Sequence, residues 1–234
     1  MTSTASPRAT SSHHRRDAGP PLTVLAVVSA GLFLAGLITT AVLADGAFPS
    51  PFAAPETALA NFQANSGVVR IGAFFQFASA VPLAIYAATV AVRLRNLGIH
   101  NPGATIALVG GVLAAASLSL SAMIGWTLAR PETLAQPELV PALQNLGFMT
   151  GGPGHVVPFG LLLAGVAVPG LIVGLLPRWL ATAGLMLAAV AELSSLTLLI
   201  NGAAHLLPVA RFGGLAWLIA AAALLPKHRR AANA

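Results

Sequence analysis

The chain has 234 residues, of which 56% are hydrophobic and only 8% charged, with 12 Lys and Arg against 6 Asp and Glu. Its mean hydropathy is +0.83. A soluble domain carries about 25% charged and about 45–50% apolar residues, so a water-soluble enzyme domain is excluded, and the high hydrophobicity excludes disorder of the chain as a whole. What remains is an all-α, polytopic membrane helix bundle. The absence of cysteine removes disulfide frameworks, thiolate nucleophiles and iron–sulfur ligation. A net charge of +6 would suggest nucleic acid in a soluble protein. Here the basic residues sit among long apolar runs, so the expected partner is the lipid bilayer and not nucleic acid.

Residues 1–20 are rich in Ser, Thr, Pro and Arg and read as a disordered cytoplasmic tail. Arg15 and Arg16 there, with Arg229 and Arg230 in the short basic tail 227–234, are expected to attract anionic lipid headgroups. Each such residue contributes about 1 kcal/mol near the surface. The pair His13–His14 makes no ligand set by itself.

Between the tails, residues 21–226 read as one six-helix transmembrane domain. A span needs about 20 mostly apolar residues, because the hydrocarbon core is about 30 Å thick and a helix rises 1.5 Å per residue. Six stretches qualify: 22–43, 68–92 with Pro82 inside it, 104–128, 155–176, 179–200 and 204–225. The first is longer than the 7–15 residues of a signal-peptide core, so it reads as an uncleaved anchor. A cleaved export signal is the alternative, and would leave five spans. Barrel strands are short and alternate apolar with polar, whereas these runs are continuous and rich in the helix formers Ala and Leu.

Loop charge sets the orientation. Arg8, Arg15, Arg16, Arg93, Arg95, Arg178, Lys227, Arg229 and Arg230 fall on one side. The other receives Arg70, Arg130 and Arg211 with Asp45, Glu56, Glu132 and Glu138. Both termini are therefore expected in the cytoplasm. The outer loops, 45–67 and 130–154, carry too little apolar pattern to fold as domains. Trp126 and Trp179 fall at the two interfaces, as belt residues do, while Trp217 and Tyr86 fall deeper and should pack between helices. Leu-Leu-Pro recurs at 175–177, 206–208 and 224–226 and reads as helix punctuation. No loop holds a GxxxxGK[ST] phosphate cradle, which argues against ATP-driven transport by this chain alone, and no pattern calls for a cofactor.

Glu192 is the acidic residue within a span. An ionised carboxylate at bilayer depth costs several kcal/mol unless paired or protonated. It shares a helix face with Ala181, Gly184, Ala188, Ala191 and Ser195, a face of small residues suited to close packing. It is therefore expected to point into the bundle. Arg211 lies as far after the turn near Asn201–Gly202 as Glu192 lies before it, about 14 Å along each helix. A Glu192–Arg211 ion pair is expected in the outer half of the bundle, with Arg70 joining it or reaching for water, and Gln76 adding a further polar group. Such a site would take a proton at Glu192 and an anion at the arginines.

The stretch Gly151-Gly152-Pro153-Gly154-His155 precedes the fourth span. It reads as an ordinary interfacial helix start, with Pro in the first turn. The competing reading is a discontinuous helix, with 141–150 as its short first piece, of the kind that lines transporter sites. His155 and His205, both near outer helix ends, could join Glu192 as a metal set, but no HExxH-type spacing supports a metal and none is expected. Gly170-Leu-Ile-Val-Gly174 suits close packing within the bundle or a homodimer, with nothing to choose between them.

The stretch from Asn61 to Arg70, the turn Leu176-Pro177-Arg178-Trp179-Leu180 and the six-span plan resemble an uncharacterised bacterial integral-membrane group, domain-of-unknown-function family 4386, from about Pro21 onward. The Gly-Gly-Pro-Gly-His stretch has no place in that pattern. The resemblance implies a bacterial cytoplasmic membrane and carries no activity or catalytic residue. The expectation is a small transporter or ligand-binding membrane protein. The alternative is a scaffold in which the Glu/Arg pair only staples helices. An intramembrane enzyme lacks a paired carboxylate, a Cys/His pair or a clear metal triad.

Overall fold

The computed structural model describes residues 20–44 and 55–227. The expectations for Arg8, His13, His14, Arg15, Arg16, Asp45, Arg229 and Arg230 lie outside them. Within the described residues there is no strand, and nine α-helices appear: α1 (Leu22–Leu43), α2 (Pro55–Ala64), α3 (Ser66–Asn96), α4 (Gly103–Leu128), α5 (Pro131–Leu134), α6 (Leu139–Gly151), α7 (Pro153–Ile172), α8 (Arg178–Leu193) and α9 (Leu206–Leu224). Two 3-10 segments, Ser194–Leu198 and Asn201–His205, join α8 to α9. Six stretches are long and apolar enough to cross a membrane: α1, α3, α4, α6 with α7, α8 with its 3-10 extension, and α9 with the 3-10 turn before it.

The spans form a closed ring. Each packs against the next, and α9 returns to α1. α7 lies innermost, touching α4, α8 and α9. Alternating directions put the start of α1 and the end of α9 at one end of the bundle. The short helices α2 and α5 sit with the start of α6 at the other, here called the loop end. There Ala58 and Phe62 of α2 pack with Leu128, Leu134 and Val140. The described parts of the two long loops thus each contribute a short helix to a small second core.

Close approach of α7 to α4 is a matter of missing side chains. A Cβ on Gly110 would lie 2.6 Å from the Pro158 carbonyl oxygen and the Leu162 backbone nitrogen. One on Gly165 would strike the backbone of Ala107 and Gly103. Because lipid is as apolar as the core, such packing rather than the hydrophobic effect holds the helices together. Buried polar contacts add to it. The Ser29 hydroxyl donates to the Ser79 carbonyl across α1 and α3 at 2.9 Å, and the Trp217 indole donates to the Leu180 carbonyl at 2.7 Å. Trp217 and Tyr86 are buried, and Trp126 and Trp179 exposed, as their positions in the spans suggest.

The fourth span departs most from expectation. It begins not at 155 but at Leu139, as two helices in line. Together they run antiparallel to α4 over its length: Gly147 meets Ile124 and Ser121, His155 meets Ala114, and Gly165 meets Ala107 and Gly103. The Gly-Gly-Pro break is therefore inside the bundle and not in an interfacial loop. Gly151, Gly152 and Pro153 are all buried.

Gly110→Ala and Gly165→Ala are each expected to cost about 1–3 kcal/mol by overpacking. Gly31→Ala, which meets nothing within 4 Å, should stabilise by up to about 1 kcal/mol through helix propensity. Reversible unfolding of the three variants in mixed micelles measures the difference.

Candidate functional site

The break has a local cause. Proline has no N–H, and it disfavours helical geometry in the residue before it. Gly152 accordingly adopts φ −83° and ψ −108°, and Pro153 opens α7 at the first position. In an unbroken helix the Gly151 carbonyl would receive the His155 N–H. Instead, the His155 and Val156 N–H groups both donate to the Gly152 carbonyl, at 3.1 and 2.9 Å. The Gly151 carbonyl is released inside the bundle, where Gly151 is buried, and such a group must find another donor.

Arg211 supplies that donor. Its Nη2 hydrogen-bonds the Gly151 carbonyl oxygen across from α9. The guanidinium also lies over the Phe33 ring of α1, 5.4 Å from its centroid, a favourable cation–π geometry. Two things are missing. Nε of Arg211 is buried without a hydrogen-bond partner, and no carboxylate among the described residues pairs with this cation.

Arg211 lies on the wall of a cavity of about 450 Å³ at the loop end of the bundle. Phe33, Leu37 and Thr40 of α1 line one side, and Leu207, Pro208, Arg211 and Phe212 of α9 another. Gln76 of α3, Ser121 of α4 and the helix break complete the wall, with Phe62 of α2 reaching in from the end cap. The lining is mostly apolar. The Ser121 hydroxyl donates to the Gly147 carbonyl at 2.9 Å. The Gln76 amide makes only a long contact to the Leu118 carbonyl, 3.5 Å, and so retains donor capacity. Leu37, Pro208 and Phe212 are exposed, so the rim between α1 and α9 faces the lipid side.

The expected Glu192–Arg211 pair is not formed. Among the described residues the ion pair present is Arg130–Glu132, at 3.2 Å on the exposed loop end. Level is not the reason. Glu192 is about 20 Å from Trp179 along α8, and Arg211 about 20 Å from Leu224 along α9. The reason is angle. At this level Ala191 and Ala210 both cluster with Val156 of α7, Ala191 lying against Gly160, and Glu192 and Arg211 are each the next residue round, about 100° away, on either flank of α7. Arg211 turns inward towards α1 and the break. Glu192 turns out and is exposed, its carboxylate lying beside Gly160 of α7. The small face of α8 packs only in part as expected: Ala181, Gly184, Ala188 and Ala191 are buried, whereas Glu192, expected to point into the bundle, and Ser195 are exposed.

The other candidates separate. Gln76 shares the cavity with Arg211. Arg70 is exposed on the lipid side of the α3–α4 pair and does not reach it. His155 is buried beneath the break, its Nδ1 2.9 Å from the Ala114 carbonyl oxygen and its ring stacked on Phe159 with centroids 5.6 Å apart. His205 is exposed at the loop end. The described residues contain no group of three or more His, Asp or Glu side chains placed to hold a metal. At the cap, the Glu132 carboxyl is held below its ordinary pKa by a hydrogen bond from its own backbone N–H, with Arg130 beside it. Phe33, Thr40 and Ser121, which line the cavity, carry no sequence signal that sets them apart from other span residues.

No protein-family model, curated protein or solved structure matches this chain.

If Glu192 and Arg211 act independently, the effects of Glu192→Gln and Arg211→Gln on unfolding free energy should add within about 0.5 kcal/mol in the double variant. A double variant that regained the stability lost by Arg211→Gln would show a pair after all. The cycle is read from melting temperatures and unfolding curves in one detergent.

Proposed function

We propose that this multi-pass membrane protein binds an amphipathic organic anion within the bilayer, as a small transporter or receptor for it. The observation that carries the reading is Arg211, a half-buried cation with a buried, unpartnered Nε and no carboxylate partner among the described residues, on the wall of a largely apolar cavity. A desolvated guanidinium favours a carboxylate or phosphate oxygen, which Nε and Nη groups can hold together. The Gln76 amide is placed to donate as well. The apolar remainder of the cavity suits a hydrocarbon body, and the lipid-side rim between α1 and α9 suits a ligand that arrives from the membrane. The scaffold alternative leaned on a Glu192–Arg211 staple, which the described residues lack.

The arginine bias across the loops supports an orientation with both termini cytoplasmic and the cavity in the outer half. The bacterial cytoplasmic membrane is proposed on the resemblance to family 4386 alone, through residues 61–70 and 176–180. A fluorescent-protein reporter fused after Lys227 should therefore light up in the cytoplasm. Activity of an alkaline phosphatase fusion at the same point would reverse the orientation.

The anion reading is tested by the melting temperature of purified protein with decanoate, decanol or decyltrimethylammonium. Decanoate at about 100 times its dissociation constant should stabilise by about 2.7 kcal/mol. The alcohol and the cation should do little. Arg211→Gln should abolish the decanoate response, and Arg211→Lys should keep part of it. Equal shifts with all three additives, or an undiminished response in Arg211→Gln, would defeat the proposal.

A further inference from the structure

A second recess lies on the lipid side of the α3–α4 pair, with a volume of about 460 Å³. Arg70, Phe74 and Phe77 border it on α3, Met123 and Trp126 on α4, and buried Ala73 forms its floor. Ala73 also borders the Arg211 cavity, but the other five residues do not. From Arg70 to Phe77 the groove runs about 10 Å along the helix.

Its depth in the membrane follows from register. A Cβ on Gly125 would lie 3.9 Å from that of Ala73, so in this antiparallel pair Arg70 stands beside Leu128, the last residue of α4. Trp126 lies just below that level, where an interfacial indole belongs. Arg70 is thus at headgroup height and Phe77 well into the hydrocarbon. The neighbouring cation, Arg130, lies over the Trp126 ring at 5.1 Å and is matched by Glu132. No described carboxylate matches Arg70.

We propose that this groove binds one anionic phospholipid of the loop-end leaflet. Its phosphate sits on Arg70, and the upper part of one acyl chain lies over Ala73, flanked by Phe74 and Phe77 on one side and Met123 and Trp126 on the other. Charge complementarity sets the headgroup. The apolar recess that continues below the guanidinium sets the rest, because a free phosphate would leave it unfilled. The site does not depend on the reading of Arg211.

The test uses the full chain carrying Trp179→Phe, which leaves Trp126 as the exposed indole while Trp217 stays buried. The protein is placed in phosphatidylcholine nanodiscs, and acyl-brominated phosphatidylglycerol or acyl-brominated phosphatidylcholine is titrated in. Brominated phosphatidylglycerol should quench at a mole fraction about fivefold lower, the ratio expected from about 1 kcal/mol for one basic contact. Arg70→Gln should bring the two curves together, and Arg70→Lys should keep them apart. Equal quenching by the two lipids in the parent overturns the proposal. So does a preference that survives Arg70→Gln.

Discussion

The hydrogen bond from Arg211 to the Gly151 carbonyl ties together the features that set this bundle apart from a simple helical ring. A Gly-Gly-Pro sequence within a membrane span forces the backbone to abandon its own ladder. The carbonyl so released lies in the bundle interior, and hydrocarbon offers it nothing. A guanidinium satisfies it, and does so from α9, so the break in the fourth span and the first turns of the sixth are locked to each other. The cost is a cation at bilayer depth. Insertion scales put that at about 2.5–3.5 kcal/mol for an arginine at a helix centre. One carbonyl and the face of Phe33 offset only part of it.

The tight packing elsewhere explains why the void sits where it does. Along the lower two thirds of α4 and α7, Gly110 and Gly165 bring the backbones into contact, and no space remains between them. At the break the fourth span keeps its line beside α4 but loses the regular backbone, and the cavity opens there. Gly36, Gly72, Gly125, Gly147, Gly151 and Gly152, six glycines, line the resulting space. They leave backbone rather than side chain on the wall. The charged group and the void thus meet at one place, the break at Gly152.

Most of the architecture was legible in the sequence, because hydrocarbon thickness and backbone hydrogen bonding leave few choices. The first span runs 22–43 as read, and the third begins one residue earlier than read. The fourth was misplaced by sixteen residues at its start. Its first helix, with Pro141, Gln144, Asn145, Gly147 and Gly151 in it, resembles a loop by composition. Packing against α4 makes it a span. Both halves of the site were also legible: Arg211 as a buried cation, and the Gly-Gly-Pro run as a candidate discontinuity. What failed was joining them. Counting residues from a turn gives height along a helix but not angle around it. Glu192 and Arg211 do share a height, yet they flank α7, Glu192 beside Gly160 and Arg211 at the Gly151 carbonyl. A stricter accounting of backbone acceptors would have found the partner, since the break frees carbonyls at that height and Arg211 is the long buried donor able to reach one.

Glu192, the acidic group inside a span, attracts attention first because a carboxylate in hydrocarbon is costly. Yet it lies exposed at the edge of a packed face and makes no ion pair among the described residues. Arg211 is more confined. Its guanidinium cannot be neutralised at any ordinary pH, and it is held by a carbonyl, a ring and the walls of the cavity. A permanent charge that can neither leave nor discharge must be balanced by what enters beside it. The proposed anion site therefore rests on the space next to its unpartnered Nε.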